Sequence, residues 1–240
     1  MIRNSGLSFQ LIMTEKTVIA LDGPAGSGKS TVARYLSRRL NFEYIDSGAI
    51  YRTLTYFGLQ YRGTSCLGIE NEIAEWFNEN PDQLNITYED QTQIMWLKGH
   101  NISSQIRSPE VTREVRYVSD SPVCREIVNQ KMRDLAERYN VVIDGRDIGT
   151  KVFPQTKYKF YLDAKPEIRV IRRAKEMNIP LKGEAFDQLL DDLLNRDAND
   201  MAREIAPLCQ AEDATLIDTS DLTIEEVVEA IAIRTGLGMS

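Results

Sequence analysis

The chain has 240 residues, 42% hydrophobic and 27% charged, which suits one ordinary domain or one domain with a large insertion and excludes wholesale disorder. Asp and Glu number 36 against 29 Lys and Arg, a net charge of -7, so gripping a nucleic acid along its length is excluded. An anionic ligand must therefore meet a local cluster of cations, and most of the cations are arginine, whose planar fork matches phosphate.

Residues 1–16 read as a tail before the first strand; they lack the continuous apolar core of a signal peptide, and Met13 is a second candidate start. Residues 17–22, TVIALD, are a short apolar run ahead of a glycine-rich turn, the pattern of a buried parallel strand. From Lys29 to Leu40, Val32, Ala33, Leu36 and Leu40 share one helical face. A second strand is predicted at 42–45, leading into Asp46-Ser47-Gly48, and a helix at 49–60. Residues 61–107 break the rhythm. They hold a short amphipathic helix (Ile69, Ile73, Trp76, Phe77), then the alternating runs LNITY and IMWLKG on either side of Asp90-Gln91, read as a hairpin in an inserted subdomain. Ser108-Pro109 and Ser121-Pro122 each put a hydroxyl N-cap before a proline, so two helices return the chain to the core. Strands at 141–143, 158–162 and 215–217 follow, and a helix at 224–234 closes the chain, with Thr223 and Glu226 as a capping box and Gly236 as the C-cap. Strands alternating with helices predict a parallel α/β sheet.

Cys66, Cys124 and Cys209 are odd in number and far apart, which excludes a disulfide framework and a zinc site and points to a reducing, cytoplasmic compartment. No apolar run is long enough to span a membrane.

Gly23-Pro24-Ala25-Gly26-Ser27-Gly28-Lys29-Ser30 fits G-x-x-x-x-G-K-[ST], and it lies between a predicted strand and a predicted helix, the context that pattern needs. Its glycines let backbone N–H groups turn inward around phosphate oxygens, and the helix N-terminus adds partial positive charge. Lys29 can reach the β- and γ-phosphates of ATP, and the Ser30 hydroxyl can ligate Mg²⁺. Residues Gly23 to Thr31 are thus the candidate ATP-binding segment. A chance glycine-rich turn is the alternative, against which the flanking strand and helix weigh. The loop alone leaves the acceptor open among water, a metabolite and another nucleotide, and Val141-Val142-Ile143-Asp144 equally suits the acidic strand of an ATP hydrolase.

Three more motifs fall at predicted strand ends or on helices, where open α/β sheets bind ligands: DSGAIYR at 46–52, DGRDIGT at 144–150 and NRDANDMAR at 195–203. Arg125 lies near the start of a helix, and Arg169, Arg172 and Arg173 cluster on another. Taken alone, Arg196, Asp200 and Arg203 at i, i+4 and i+7 read as an ion-paired helix face, and the three clustered arginines as a solvated one. Taken together, in this order and spacing, the motifs resemble the bacterial cytidylate kinases, P-loop nucleoside monophosphate kinases, from about Val18 to Thr235.

The resemblance implies the P-loop NTPase fold, an α/β fold with a five-stranded parallel sheet flanked by helices. Its core would be 17–60 and 108–236, with a small antiparallel monophosphate-binding insert at 61–107 and a lid at 174–187. It implies transfer from ATP, with Mg²⁺, to CMP or dCMP. Ser47, Arg52 and Arg146 would hold the CMP phosphate, Arg125 and Asp147 would serve the cytosine, Arg196 and Asp200 the sugar, and Arg203 would border the acceptor site. Lys29, Arg146, Arg169, Arg172 and Arg173 would carry the transfer, the last three by leaning over the triphosphate. One departure stands out: Arg116 occupies a place where a small hydroxyl residue is expected, with Ser119 one turn later. The acceptor phosphate is ionised at neutral pH and needs no strong base, so a single histidine, His100, read as a surface or packing residue, is no obstacle. A monomer binding neither nucleic acid nor membrane is expected. The rivals are another P-loop nucleotide or small-molecule kinase and an NTP-hydrolysing ATPase.

Overall fold

The computed structural model describes residues 16–237, so all but the last residue of the predicted tail, and the alternative start at Met13, lie outside the described residues. In chain order the elements begin β1 (Val18–Asp22), α1 (Lys29–Leu40), β2 (Glu43–Asp46), α2 (Ser47–Arg62), α3 (Glu70–Glu79), β3 (Leu84–Glu89), β4 (Thr92–Leu97) and β5 (His100–Asn101). They continue α4 (Pro109–Asp120), α5 (Pro122–Arg138), β6 (Val141–Gly145), β7 (Tyr158–Asp163), α6 (Pro166–Glu176), α7 (Glu184–Ala202), β8 (Thr215–Asp218) and α8 (Ile224–Thr235).

The main sheet is parallel, in the order β2-β6-β1-β7-β8. Both faces of its central strand are covered, which is why TVIALD reads as a continuous apolar run. Ile19 and Leu21 pack with Val32 and Leu36 of α1 and Val228 and Ile231 of α8. Ala20 belongs to the opposite layer, with Ile50 and Leu54 of α2 and Val128 and Met132 of α5. Each such aliphatic side chain contributes about 1.5–3 kcal/mol on burial. From β1 the chain crosses to β2 on one side, and from β6 it crosses to β7 on the other. That divergence opens a crevice beyond the carboxyl ends of β1 and β6, where ligands bind in sheets of this kind.

Asp46 accepts the Ala49 N–H at 2.9 Å, so α2 begins at Ser47, two residues earlier than its apolar spacing predicts. Ser108 and Ser121 cap α4 and α5 as expected, and Thr223 and Glu226 form the capping box of α8. Asp90 and Gln91 both have positive φ, 47° and 59°, and close the β3–β4 hairpin as a two-residue turn. A third strand, β5, was not anticipated. Lys98 and Gly99, again with positive φ, fold the chain back so that His100 and Asn101 pair with β4. Gln93 fastens this second sheet to the first: its side-chain oxygen accepts the Asp46 N–H at 2.8 Å. Between α6 and α7 only residues 177–183 are non-helical. Among the described residues no helix is long and apolar enough to cross a membrane.

Candidate active site

The glycine-rich loop joins β1 to α1 at the crevice. A Cβ on Gly23, whose φ is 146°, would lie 2.0 Å from the Leu162 carbonyl oxygen, so only glycine passes there. Lys29 is buried and folded over its own loop, its Nζ donating to Pro24 O at 2.5 Å and Ser27 Oγ at 3.2 Å. Burial, and then the positive charge of Arg146, hold its ammonium well below the usual lysine range. An anion in the loop would relieve both costs. Thr31 follows on the first turn of α1.

Ser30 donates to Asp144 Oδ2 at 2.6 Å, and Tyr44 donates to Asp144 Oδ1 at 2.9 Å. Among the described residues no three His, Cys, Asp or Glu side chains cluster as a self-sufficient metal cage. One hydroxyl and one carboxylate at the mouth of a phosphate loop do fit Mg²⁺, which takes one or two protein oxygens and fills its octahedron with phosphate and water.

At the start of α2, Ser47 donates to Asp144 O at 2.6 Å. Arg52 reaches from α2 to Thr112 Oγ1 at 2.8 Å. Arg146 Nε meets Asp200 at 2.8 Å. Arg196, on α7, makes no ion pair among the described residues. The residue as a whole is exposed, yet desolvation of its guanidinium, then Arg146, with Arg52 and Arg173 adding to it against Asp200, pushes it down to about 10. Arg52 is lowered in turn by burial and then by Arg107. Lys29, Arg146, Arg196, Arg52 and Arg173 thus form a chain of mutually repelling cations. Asp22, Asp46, Asp144 and Asp200 stand among them, and for Asp200 burial opposes ionisation, but Arg146 and Arg203 hold it below the usual carboxylate range.

Arg125 and Asp147 form a buried ion pair, with Arg125 5.5 Å from the centroid of the Tyr51 ring and donating to Ser119 O at 2.9 Å. Arg203 pairs with Asp120 at 2.7 Å and Asp200 at 2.6 Å, and donates to Ser119 Oγ at 3.3 Å. One expectation needs correction here: Arg203 does not share a helical face with Arg196 and Asp200. It is the first residue past α7, extended at φ −57° and ψ 135°, and turns back onto Asp200.

Arg169, Arg172 and Arg173 also diverge rather than facing solvent together. Arg169 is buried against Asp197 and donates to Ala25 O at 3.0 Å. Arg172 donates to Thr219 Oγ1 at 2.9 Å, and a Cβ on Gly28 would stand 3.9 Å from its Nη1, so it flanks the phosphate loop. Arg173 is more exposed, pairs with Glu176 at 2.8 Å, and its charge is felt at Arg52 and Arg196. Arg116 lies outside this network, exposed on α4 and stacked on Tyr117 at 4.6 Å. His100 is exposed on the edge strand.

The structure adds residues not singled out from the sequence. Asp22 accepts the Ile148 and Gly149 N–H groups at 2.8 Å each, pinning the π-helical turn Ile148–Val152 that follows DGRD. Its place directly before Gly23 was the available signal. Asp197 accepts the Ala25 N–H at 3.0 Å, and its signal was the adjoining Arg196. Tyr44 gave no signal, since a tyrosine in a strand reads as core.

The family model for cytidylate kinase matches residues 19–235 of this chain. A cytidylate kinase of Desulforamulus reducens is 44% identical over 220 residues, covering 91% of this chain and 96% of that protein. One from Bacillus cereus is 41% identical over 221 residues, with the same coverage. A solved shikimate kinase from Bacteroides thetaiotaomicron has a TM-score of 0.46 at 18% identity, covering 92% of this chain and 99% of that one, a likeness too distant to bear on the reaction.

Proposed function

The chain belongs to the cytidylate kinase family, and we propose that its cleft transfers the γ-phosphoryl group of ATP to CMP or dCMP, giving ADP and CDP or dCDP. The observation that carries the reading is the convergence on Asp144 of Ser30 from the phosphate loop and Ser47 from α2, with Arg146 two residues on held by Asp200.

The segment Gly23 to Thr31 holds the donor phosphates through its backbone N–H groups, other than that of Ala25, which Asp197 accepts, and through Lys29. Ser47, Arg52 and Arg146 take the acceptor phosphate, Arg196 and Asp200 the sugar, and Arg125, Asp147 and Arg203 the base. Ser30 and Asp144 would hold Mg²⁺, which would supply charge neutralisation to the donor phosphates. The acceptor oxygen is already anionic, so the protein's work is positioning and neutralising two polyanions. Arg172 and Arg173 add charge from α6, and the segment 177–183 beside them is suited to close over the cleft and exclude water. The three cysteines are free, two of them buried, which suits a reducing cytoplasm.

The test is ADP release with CMP, dCMP, UMP, AMP or no acceptor. CMP and dCMP should drive release far above the acceptor-free rate. Equal release in all five tubes would mean hydrolysis, and preference for AMP or UMP would mean a different kinase.

A further inference from the structure

Ala25, near the apex of the phosphate loop, is gripped at both of its backbone groups. Its N–H is accepted by Asp197 Oδ1 at 3.0 Å, and its carbonyl receives Arg169 Nη1 at 3.0 Å. Asp197 and Arg169 also pair with each other, each side chain only 7% exposed. The loop is pressed against this pair: a Cβ on Gly26 would lie 2.9 Å from Arg169 O and 3.0 Å from Arg169 Cβ. Arg169 Nε is further tied to Ala164 O at 2.9 Å, so the guanidinium is fixed from behind.

Asp197 stands on α7 between Arg196 and Asp200, and Asp200 holds Arg146 at 2.8 Å. One helix thus carries a hold on the donor loop and the charges of the acceptor side. α7 has a thin apolar seat: of its 19 residues only Leu193, Asp197 and Asp200 are buried. Its placement over the site depends on polar contacts, so a nucleotide that draws on Arg196 and Asp200 also sets Asp197.

We propose that the buried Asp197–Arg169 pair is a positioning clamp that couples the phosphate loop to α7, so that ATP and CMP each tighten the other's binding. The proposal rests on the site's being the nucleotide phosphotransfer cleft. Arg169, expected from the sequence to lean over the triphosphate, is instead held by Asp197, Ala164 O and Ala25 O, so both residues of the pair act through Ala25. Because the coupling is thermodynamic, it is reciprocal.

The experiment is calorimetric titration of CMP into the full chain, with and without the non-hydrolysable analogue adenosine 5′-(β,γ-imido)triphosphate and Mg²⁺. In the unaltered protein the analogue should tighten CMP binding about fivefold or more. Asp197→Asn alone strands a buried guanidinium and is prone to unfolding, so the working variant replaces both partners, Arg169→Met with Asp197→Leu, which keeps buried volume without charge. Arg169→Lys is the conservative companion, with a single nitrogen that cannot keep the Nε bond to Ala164 O while also serving Ala25 and Asp197 as Nη1 does. The double variant should melt near the parent, bind CMP alone within about threefold, and show an analogue effect within about twofold of unity, with Arg169→Lys intermediate. An unchanged coupling ratio in both variants, or a ratio of one in the parent, overturns the clamp and leaves the proposed reaction standing. Failure of the parent to bind CMP at all overturns the reaction and the clamp together.

Discussion

Ser30 and Asp144, 114 residues apart in the chain, meet at the mouth of the phosphate loop, the Ser30 hydroxyl donating to Asp144 Oδ2 at 2.6 Å. The second carboxylate oxygen is held independently by Tyr44 at 2.9 Å. Asp144→Asn should raise the Mg²⁺ concentration for half-maximal activity by about 10–100-fold, and Tyr44→Phe by about tenfold, the range for groups that orient metal ligands. Mn²⁺ binding by electron paramagnetic resonance, with ATP present, should shift in the same order. Parental metal affinity in Asp144→Asn would remove that carboxylate from the metal site.

Arg146, directly after β6, is anchored by Asp200 at 2.8 Å. Arg146→Met should lower turnover by about 10³-fold, as loss of a transition-state arginine does in phosphoryl transfer. Its side chain is partly exposed, so thermal stability should move little. Arg146→Lys keeps the charge but not the fork, and should recover only part of the rate. A fall in melting temperature proportionate to the fall in rate would assign Arg146 to folding instead.

How much of this was legible beforehand differs from residue to residue. β1, the phosphate loop and α1 follow from a local pattern, because a buried parallel strand, a positive-φ turn and an amphipathic helix each mark the sequence within a dozen positions. The caps at Ser108, Ser121 and Thr223 were legible for the same reason. The pairings were not. Nothing in Tyr44 marks it as the partner of Asp144, because the contact depends on β2 lying beside β6, a register set by the whole sheet. Arg169, Arg172 and Arg173 look equivalent along a helix, yet Asp197 on α7 and Thr219 after β8 draw the first two to different sides of the loop. Arg203 looked like the third member of a helical face because the i, i+7 spacing assumes a helix that has already ended at Ala202.

Arg125 and Asp147 are 5% and 7% exposed, so neither charge can be solvated if the other is lost. Arg125→Met should cost about 3–5 kcal/mol of stability in urea titrations. Arg125→Met with Asp147→Leu should recover most of that, since an apolar pair of similar volume carries no desolvation penalty. CMP affinity should stay low in the double variant. If affinity returned with stability, the pair would support the fold without reading the base.

Asp22 should leave a signature in the pH dependence of folding. Burial pushes its carboxyl up from 3.8 to about 6, against the pull of the Ile148 and Gly149 N–H groups. The folded pKa therefore lies above the unfolded one, and between them the native state binds the extra proton. The favourable contribution is fully present below about pH 4 and is lost as pH rises through about 6, a change of about 3 kcal/mol over the two-unit span. Other carboxylates, such as Asp200, are shifted the opposite way, so the parent's own profile mixes signs. The difference between parent and Asp22→Asn isolates the group. Asparagine can accept one of the two N–H groups but not both, a loss that does not change with pH. Urea unfolding of both proteins from pH 4.5 to 7.5 should show the parent's advantage shrinking by about 2 kcal/mol, most of it before pH 6.5. Parallel curves would mean that the two backbone donors and Lys29 keep Asp22 ionised throughout, with its carboxyl near the ordinary range.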